Sequence, residues 1–157
     1  MSSVTQDPNR PPPTLEVDPA GIPSTMQQAQ RWLVWRWQYY HKWTKPPFQP
    51  SGYHAKSDDP ATWTSFDIAL AAYQTGQWSG LGFALTPVEG DPQHWLGVDL
   101  DDCRSRRSGK LDARAARIVR LADTYAEASP TGKGVKIFAL GTAPEGKLKR
   151  RDKKIEI

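Results

Sequence analysis

The sequence predicts an α+β fold in which helices cover one side of a sheet. Three observations predict it: short apolar runs at strand spacing recur along the chain, a strongly helical segment interrupts them after an acidic strand end, and more strands follow it. At 157 residues and 38% apolar content the chain suffices for one domain with a modest core.

Residues 1 to 24 contain "RPPPT" and scattered Ser, Asp and Pro, which bury too little surface to offset ordering, so a disordered or extended Pro-rich tail is expected there. The folded domain is expected over residues 25 to 157. "RWLVWRW" (31 to 37) alternates as a strand, with Leu33, Trp35 and Trp37 on one face and Trp32, Val34 and Arg36 on the other. Pro46 and Pro47 are expected to end any regular element. "SDDPATWTSFDIALAAYQTG" reads as a helix capped by Thr62 or Thr64, with Trp63, Phe66, Ala69, Leu70 and Tyr73 as its apolar stripe and Gly76 as its close. "LGFAL" (81 to 85) and "WLGVDL" (95 to 100) read as two strands that pair antiparallel across "TPVEGDPQH". "RSRRSGK" is a basic loop. "LDARAARIVRLADTY" is a helix with Leu111, Ala115, Ile118, Val119 and Ala122 inward, and "YAEAS", "VKIFAL" and the terminal "KKIEI" are further strands.

The charge is divided along the chain. Residues 1 to 103 hold 6 Lys or Arg against 11 Asp or Glu, and residues 104 to 157 hold 15 against 6. A cationic C-terminal third suggests a polyanionic partner, nucleic acid or nucleoside triphosphate. No apolar run approaches the roughly 20 residues that span a bilayer, and the N-terminus lacks a basic start and a greasy stretch, so a cytoplasmic protein with no membrane partner is expected. The one cysteine, Cys103, excludes an internal disulfide and leaves too few soft ligands for a structural zinc site. His41, His54 and His94 have no ligand spacing.

Three stretches carry chemistry. In "WLGVDLDDC", strand alternation puts Asp99 and Asp101 on one face and Val98 and Leu100 in the core. Two such carboxylates repel unless cations lie between them, and hard divalent ions prefer these oxygen ligands; capping of a loop is the plainer use. In "SPTGKGVKIF", Thr131, Gly132, Lys133 and Gly134 form a turn whose amides can approach an anion, with Lys133 and Lys136 adding charge; a simple hairpin turn is the alternative. It is not a P-loop, because Glu127 stands where the first glycine belongs and Gly134 where Ser or Thr belongs. In "KKIEI", Glu156 is a carboxylate between Ile155 and Ile157.

The succession "GVDLDD", "YAEASPTGKGVKIF", "KKIEI" resembles the N-terminal bifunctional primase-polymerase domain of the archaeo-eukaryotic primase superfamily, found in phage and plasmid replication proteins. "RWLVWRW", "KWTKPPF", "SDDPATWTSFDIALAA" and "GLGFAL" resemble its lead-in, so the likeness runs over about residues 25 to 157. It implies an RNA-recognition-like antiparallel or mixed sheet with helices on one face and an N-terminal α/β part, incomplete at its C-terminal end. It implies a DNA primase/polymerase that makes or extends primers by two-metal phosphoryl transfer, using nucleoside triphosphates, a single-stranded DNA template and a helicase module or partner. Asp99, Asp101 and Glu156 would be catalytic and hold two Mg²⁺ or Mn²⁺ ions. Ser129, Thr131, Gly132, Lys133, Gly134 and Lys136 would contact the nucleotide, although Lys136 stands where the family has histidine. Lys45, in "TKPPF", and Arg104, Arg106, Arg107 and Lys110 are candidates for nucleic-acid contact, with solvated loops as the alternative. Two other classes stay open: an inactive single-stranded nucleic-acid-binding module and a metal-dependent nuclease.

Overall fold

A computed structural model describes residues 7 to 142 and, further on, the backbone of the short strands at 151–152 and 155–156. The side chain of Glu156 and residues 1 to 6 of the Pro-rich segment lie outside the described residues. Helices and antiparallel strands occur together, an α+β architecture, and the chain divides into two compact units, residues 1 to 84 and 85 to 157.

In the first unit, strand β1 (Trp32–Trp35) lies between β4 (Pro47–Phe48) and β5 (Gly80–Phe83), antiparallel to both. All four β1 residues are buried, which explains why the run is apolar on both faces. Trp32 meets Phe66 and Phe83 edge to face at 4.9 and 5.0 Å, and its indole N–H donates to the Met26 carbonyl. Leu33 packs with Ala55, Ala84 and Trp63. Pro46 lies in the irregular break that follows the strand ending at Thr44, as expected, but Pro47 does not end regular structure. Pro47 pairs with Trp35 on an edge strand, where a missing N–H costs no ladder bond, while its carbonyl accepts from Ala55 N. Between them, β2 (Gln38–Tyr40) and β3 (Lys42–Thr44) form a two-stranded hairpin of their own, turned at His41, whose φ is 59°.

Helix α2 (Phe66–Gln74) starts later than its sequence stripe suggested. Ser65, rather than Thr62 or Thr64, caps it by accepting from Ile68 N, because Asp59 and Pro60 divert the preceding residues into a separate 3₁₀ turn, Pro60–Thr62, outside which Trp63 also falls. Helix α1 (Ser24–Gln27) is a single turn. From the Pro-rich segment, Thr14 accepts the Trp37 indole N–H at 2.7 Å, Val17 N donates to the Tyr73 hydroxyl, and Ile22 is buried.

The second unit is a five-stranded antiparallel sheet built from β6 (Trp95–Leu100), β7 (Ala126–Ala128), β8 (Val135–Leu140), β9 (Arg151–Asp152) and β10 (Ile155–Glu156), in the order β7-β8-β6-β10-β9. Thus β5 and β6 do not pair as the sequence suggested: β5 takes β1 as its partner and β6 takes β8 and β10. Helix α3 (Ala113–Ala122) is capped by Asp112, which accepts from Ala115 N at 2.8 Å, and ends at Asp123 in the left-handed region. One face of the sheet meets the helix through Leu100, Cys103, Ala115, Val135 and Ile137, with Ile118 and Val119 packed against them. Ala122, expected inward, is exposed because it lies in the last turn beside the αL cap. Among the described residues no helix is long and apolar enough to cross a membrane.

Candidate functional site

Strand alternation decides which side chains of the second unit leave the core. Val98 and Leu100 of β6, Val135 and Ile137 of β8 and Ala126 of β7 belong to the helix-side cluster, so the residues between them stand on the opposite face. The register then assembles a row across the sheet: Glu127 opposite Lys136, Lys136 opposite Asp99, Asp99 opposite Glu156, and Glu156 opposite Arg151. Asp99 and Glu156, separated by 57 positions in the sequence, are therefore direct neighbours in the backbone ladder.

At the centre of the row the Lys136 ammonium donates to Asp99 Oδ1 at 2.6 Å, with the two side chains 30% and 40% exposed. At that exposure the pair is screened and contributes at most about 1 kcal/mol to stability. Its chemical meaning is larger: the Asp99 carboxylate already holds a cation.

The row also contains a carboxyl that the motif reading passed over. Glu127 sits beside Lys136 and accepts from the Tyr125 hydroxyl at 2.6 Å. Burial pushes its carboxyl above the ordinary carboxylate value, and the Tyr125 hydrogen bond and the Lys136 charge offset this only in part. Its position on "YAEAS", next to Ala126, which packs against the core, was the sequence signal; the pairing with Lys136 had no sequence signal. A raised folded-state value means that the native protein keeps this proton to higher pH than the unfolded chain, so stability is lost as pH rises above about 4.5. Glu127→Gln, which keeps an acceptor for Tyr125, is expected to raise the melting temperature at neutral pH, with the gain vanishing below that value. Paired thermal melts across the acid range check this; a variant less stable at neutral pH would contradict it.

Asp101 is placed differently from Asp99. The strand ends at Leu100, so the alternation that would put both aspartates on one face stops there, and Asp102 follows with a φ of 49°. Asp101 is exposed in this turn and, with Asp102, Asp112 and Arg114, lines a shallow concavity beside the N-terminus of α3. Cys103 is buried at its floor; burial first, then Asp112, pushes its thiol up, which keeps it protonated and suits a packing role.

The glycine turn abuts this corner. Gly134 packs so closely that a Cβ there would lie 2.5 Å from the Leu100 carbonyl oxygen and 3.6 Å from Asp101 Cα. Ser129 clamps the turn from within: its hydroxyl accepts from Gly134 N at 2.9 Å, its carbonyl accepts from Gly132 N at 2.7 Å, and its own N–H donates to the Gly134 carbonyl. The amides of Gly132 and Gly134 are thus engaged inside the turn, whereas Thr131 is half-buried and Lys133 exposed at its tip. Gly132 has a φ of 76°, which glycine adopts without strain.

Arg104 ties the turn to the acidic corner. Its backbone N–H donates to the Lys133 carbonyl and its guanidinium to the Gly132 carbonyl, both at 2.9 Å. Arg106, Arg107 and Lys110 are exposed on a tight loop closed by Ser105 N to the Lys110 carbonyl and Gly109 N to the Ser105 carbonyl. Lys45 belongs to the first unit, exposed, with its ammonium 5.8 and 5.7 Å from the Trp35 and Trp37 ring centres.

Among the described residues no three His, Cys, Asp or Glu side chains form a ready metal cluster; Glu156, the register partner of Asp99, contributes only its backbone to that description. No family model matches the chain. Over 121 residues it is 30% identical to the "DNA Primase-polymerase" of Nitratiruptor phage NrS-1. The match takes in 76% of this chain and spans only 16% of the length of that curated relative. Over most of its length, then, the chain is similar to a small part of a phage DNA primase-polymerase.

Proposed function

We propose that the chain is a primase-polymerase catalytic module of the archaeo-eukaryotic primase superfamily, its second unit an RNA-recognition-like sheet, and that it transfers nucleotides onto a primer strand directed by single-stranded DNA. The observation that carries this reading is the register that sets Glu156 opposite Asp99 at the end of the strand leading into Asp101, against the glycine turn. The similarity to the phage protein supports it.

Asp99, Asp101 and Glu156 would hold two Mg²⁺ or Mn²⁺ ions. The donor set suits such ions, being all carboxylate oxygen, and Asp99 already binds a positive charge. When bound, the ions lower the pKa of the attacking 3′-hydroxyl and neutralise the departing pyrophosphate. The chain's own residues do the rest. Lys136 holds Asp99 in place and, once released from it, would donate to a triphosphate oxygen as a point charge, at the position where the family has histidine. Lys133 brings a second cation to the tip of the turn, and Arg104, bound to two of the turn's carbonyls, keeps that tip fixed against the aspartates. Arg106, Arg107 and Lys110 would follow the strand's phosphates.

A second reading is favoured by the ammonium seated on Asp99: a module that binds single-stranded nucleic acid without transferring nucleotides. Primer extension with labelled nucleotides and Mn²⁺ on a single-stranded template separates the two. Templated incorporation supports the enzyme; binding without incorporation supports the second reading, and shortening of the strand points to a nuclease.

A further inference from the structure

We propose that the β2–β3 hairpin of the first unit is a stacking platform for single-stranded DNA, a surface distinct from the acidic corner of the second unit. Residues 19 to 57 contain no Asp or Glu, yet carry Arg31, Arg36, Lys42, Lys45 and Lys56 together with eight aromatic residues. The structure sorts these cations. Arg31 is buried and donates to the Ala84 carbonyl, and Arg36 lies over the Phe48 and Trp78 rings, so both serve the fold. Lys45, just after the hairpin, is exposed but lies over the Trp35 and Trp37 rings, and Lys56 is exposed outside the hairpin; Lys42 is the exposed cation on the hairpin itself.

The hairpin's two faces differ. Tyr39 and Trp43 are direct cross-strand partners with rings 5.4 Å apart, and the Trp43 indole N–H donates to the Asp7 carbonyl, which ties this face to the N-terminal segment. On the other face Tyr40 is paired with Lys42, and Tyr40 is 76% exposed, the most exposed of the large apolar side chains in the described structure. Its ring meets that of His41 in an edge-to-face arrangement with centroids 4.7 Å apart, which holds it in place while most of its surface stays open to solvent. Beside it, Lys42 supplies an ammonium and His41 a hydrogen-bonding ring, while Asp7, the acidic residue that the structure brings to the hairpin, meets the opposite face through Trp43. A flat ring next to an ammonium fits an unpaired base with its phosphate, because every base has a face to stack and the backbone carries the charge. Duplex bases offer no free face. The choice of deoxyribose over ribose rests on the polymerase reading above; the platform itself does not, and its test therefore omits metal.

Fluorescence anisotropy of labelled oligothymidylate with the full chain, in chelator, tests the proposal. Tyr40→Ala and Tyr40→Leu are expected to weaken binding about tenfold and Tyr40→Phe to retain it, since the stacked ring is lost in the first two and kept in the third. Lys42→Ala is expected to weaken binding a few-fold and to lower the salt dependence by about 0.7 in log-log slope, one phosphate contact. Tyr53→Ala, which removes a tyrosine 75% exposed elsewhere in the same unit, is expected to change nothing. Circular dichroism establishes that each variant is folded. The proposal is overturned if the Tyr40 variants bind as the wild type, if Tyr53→Ala loses as much, or if duplex DNA binds as tightly as the single strand. Because no metal is present, loss of incorporation in a separate assay leaves this result unaffected, and the reverse also holds.

Discussion

Asp99→Ala is expected to reduce templated incorporation by about a thousandfold or more while leaving the protein folded. The size follows from what the carboxylate would do: it is the member of the acidic set nearest both Glu156 in the ladder and the Lys136 ammonium, and removing one preorganised charge from a reacting centre typically costs 10² to 10³, with a lost ion adding to that. The fold should tolerate the change because Asp99 stands on the sheet face away from the Leu100, Val135 and Ile137 cluster and is 40% exposed. Losing its pair with Lys136 changes stability by about 1 kcal/mol or less. Primer extension and a thermal melt on the same preparation check both halves. Incorporation at the wild-type rate would remove Asp99 from the mechanism.

Gly134→Ala is expected to destabilise the second unit by about 3 kcal/mol and to abolish incorporation with it. The new methyl would stand 2.5 Å from the Leu100 carbonyl oxygen and 3.3 Å from the Ser129 hydroxyl. A flexible side chain could move aside, but Leu100 is the paired partner of Val135 and its carbonyl also accepts from the Cys103 thiol, so backbone must shift. The same shift carries Asp101 away from the turn. Chemical denaturation measures the loss, and an unchanged midpoint would show that the corner is looser than the contact implies.

Strands β6 and β8 were legible in the sequence to the residue, because each is a run of six alternating positions bounded by turn formers, and α3 was legible because its apolar stripe keeps the helical period. What failed was long-range. Nothing local in "LGFAL" says that it pairs with β1 rather than with the next strand, and nothing local in "YAEAS" sets Glu127 beside Lys136. Pro47 misled because proline bars a central strand but not an edge. Ser65 was passed over because Asp59 and Pro60 begin a separate turn just upstream. The aromatic hairpin was hidden by counting charge over residues 1 to 103, where the acids at 58, 59, 67 and beyond outweigh an acid-free stretch that precedes them. Of the proposed site, the motifs and their order were legible; the Lys136 to Asp99 ion pair and the Arg104 clasp were not, since both join residues that only the register brings together.

In the proposed function Asp99 is an ion ligand whose cation in the free protein is Lys136. Calorimetric titration of Mn²⁺ into the wild type, Asp99→Asn and Lys136→Met tests it in one measurement. Binding to the wild type is expected, with its loss in Asp99→Asn and binding about tenfold tighter in Lys136→Met, where no ammonium has to be displaced, a change of about 1.4 kcal/mol. Equal Mn²⁺ affinity in all three proteins would contradict it.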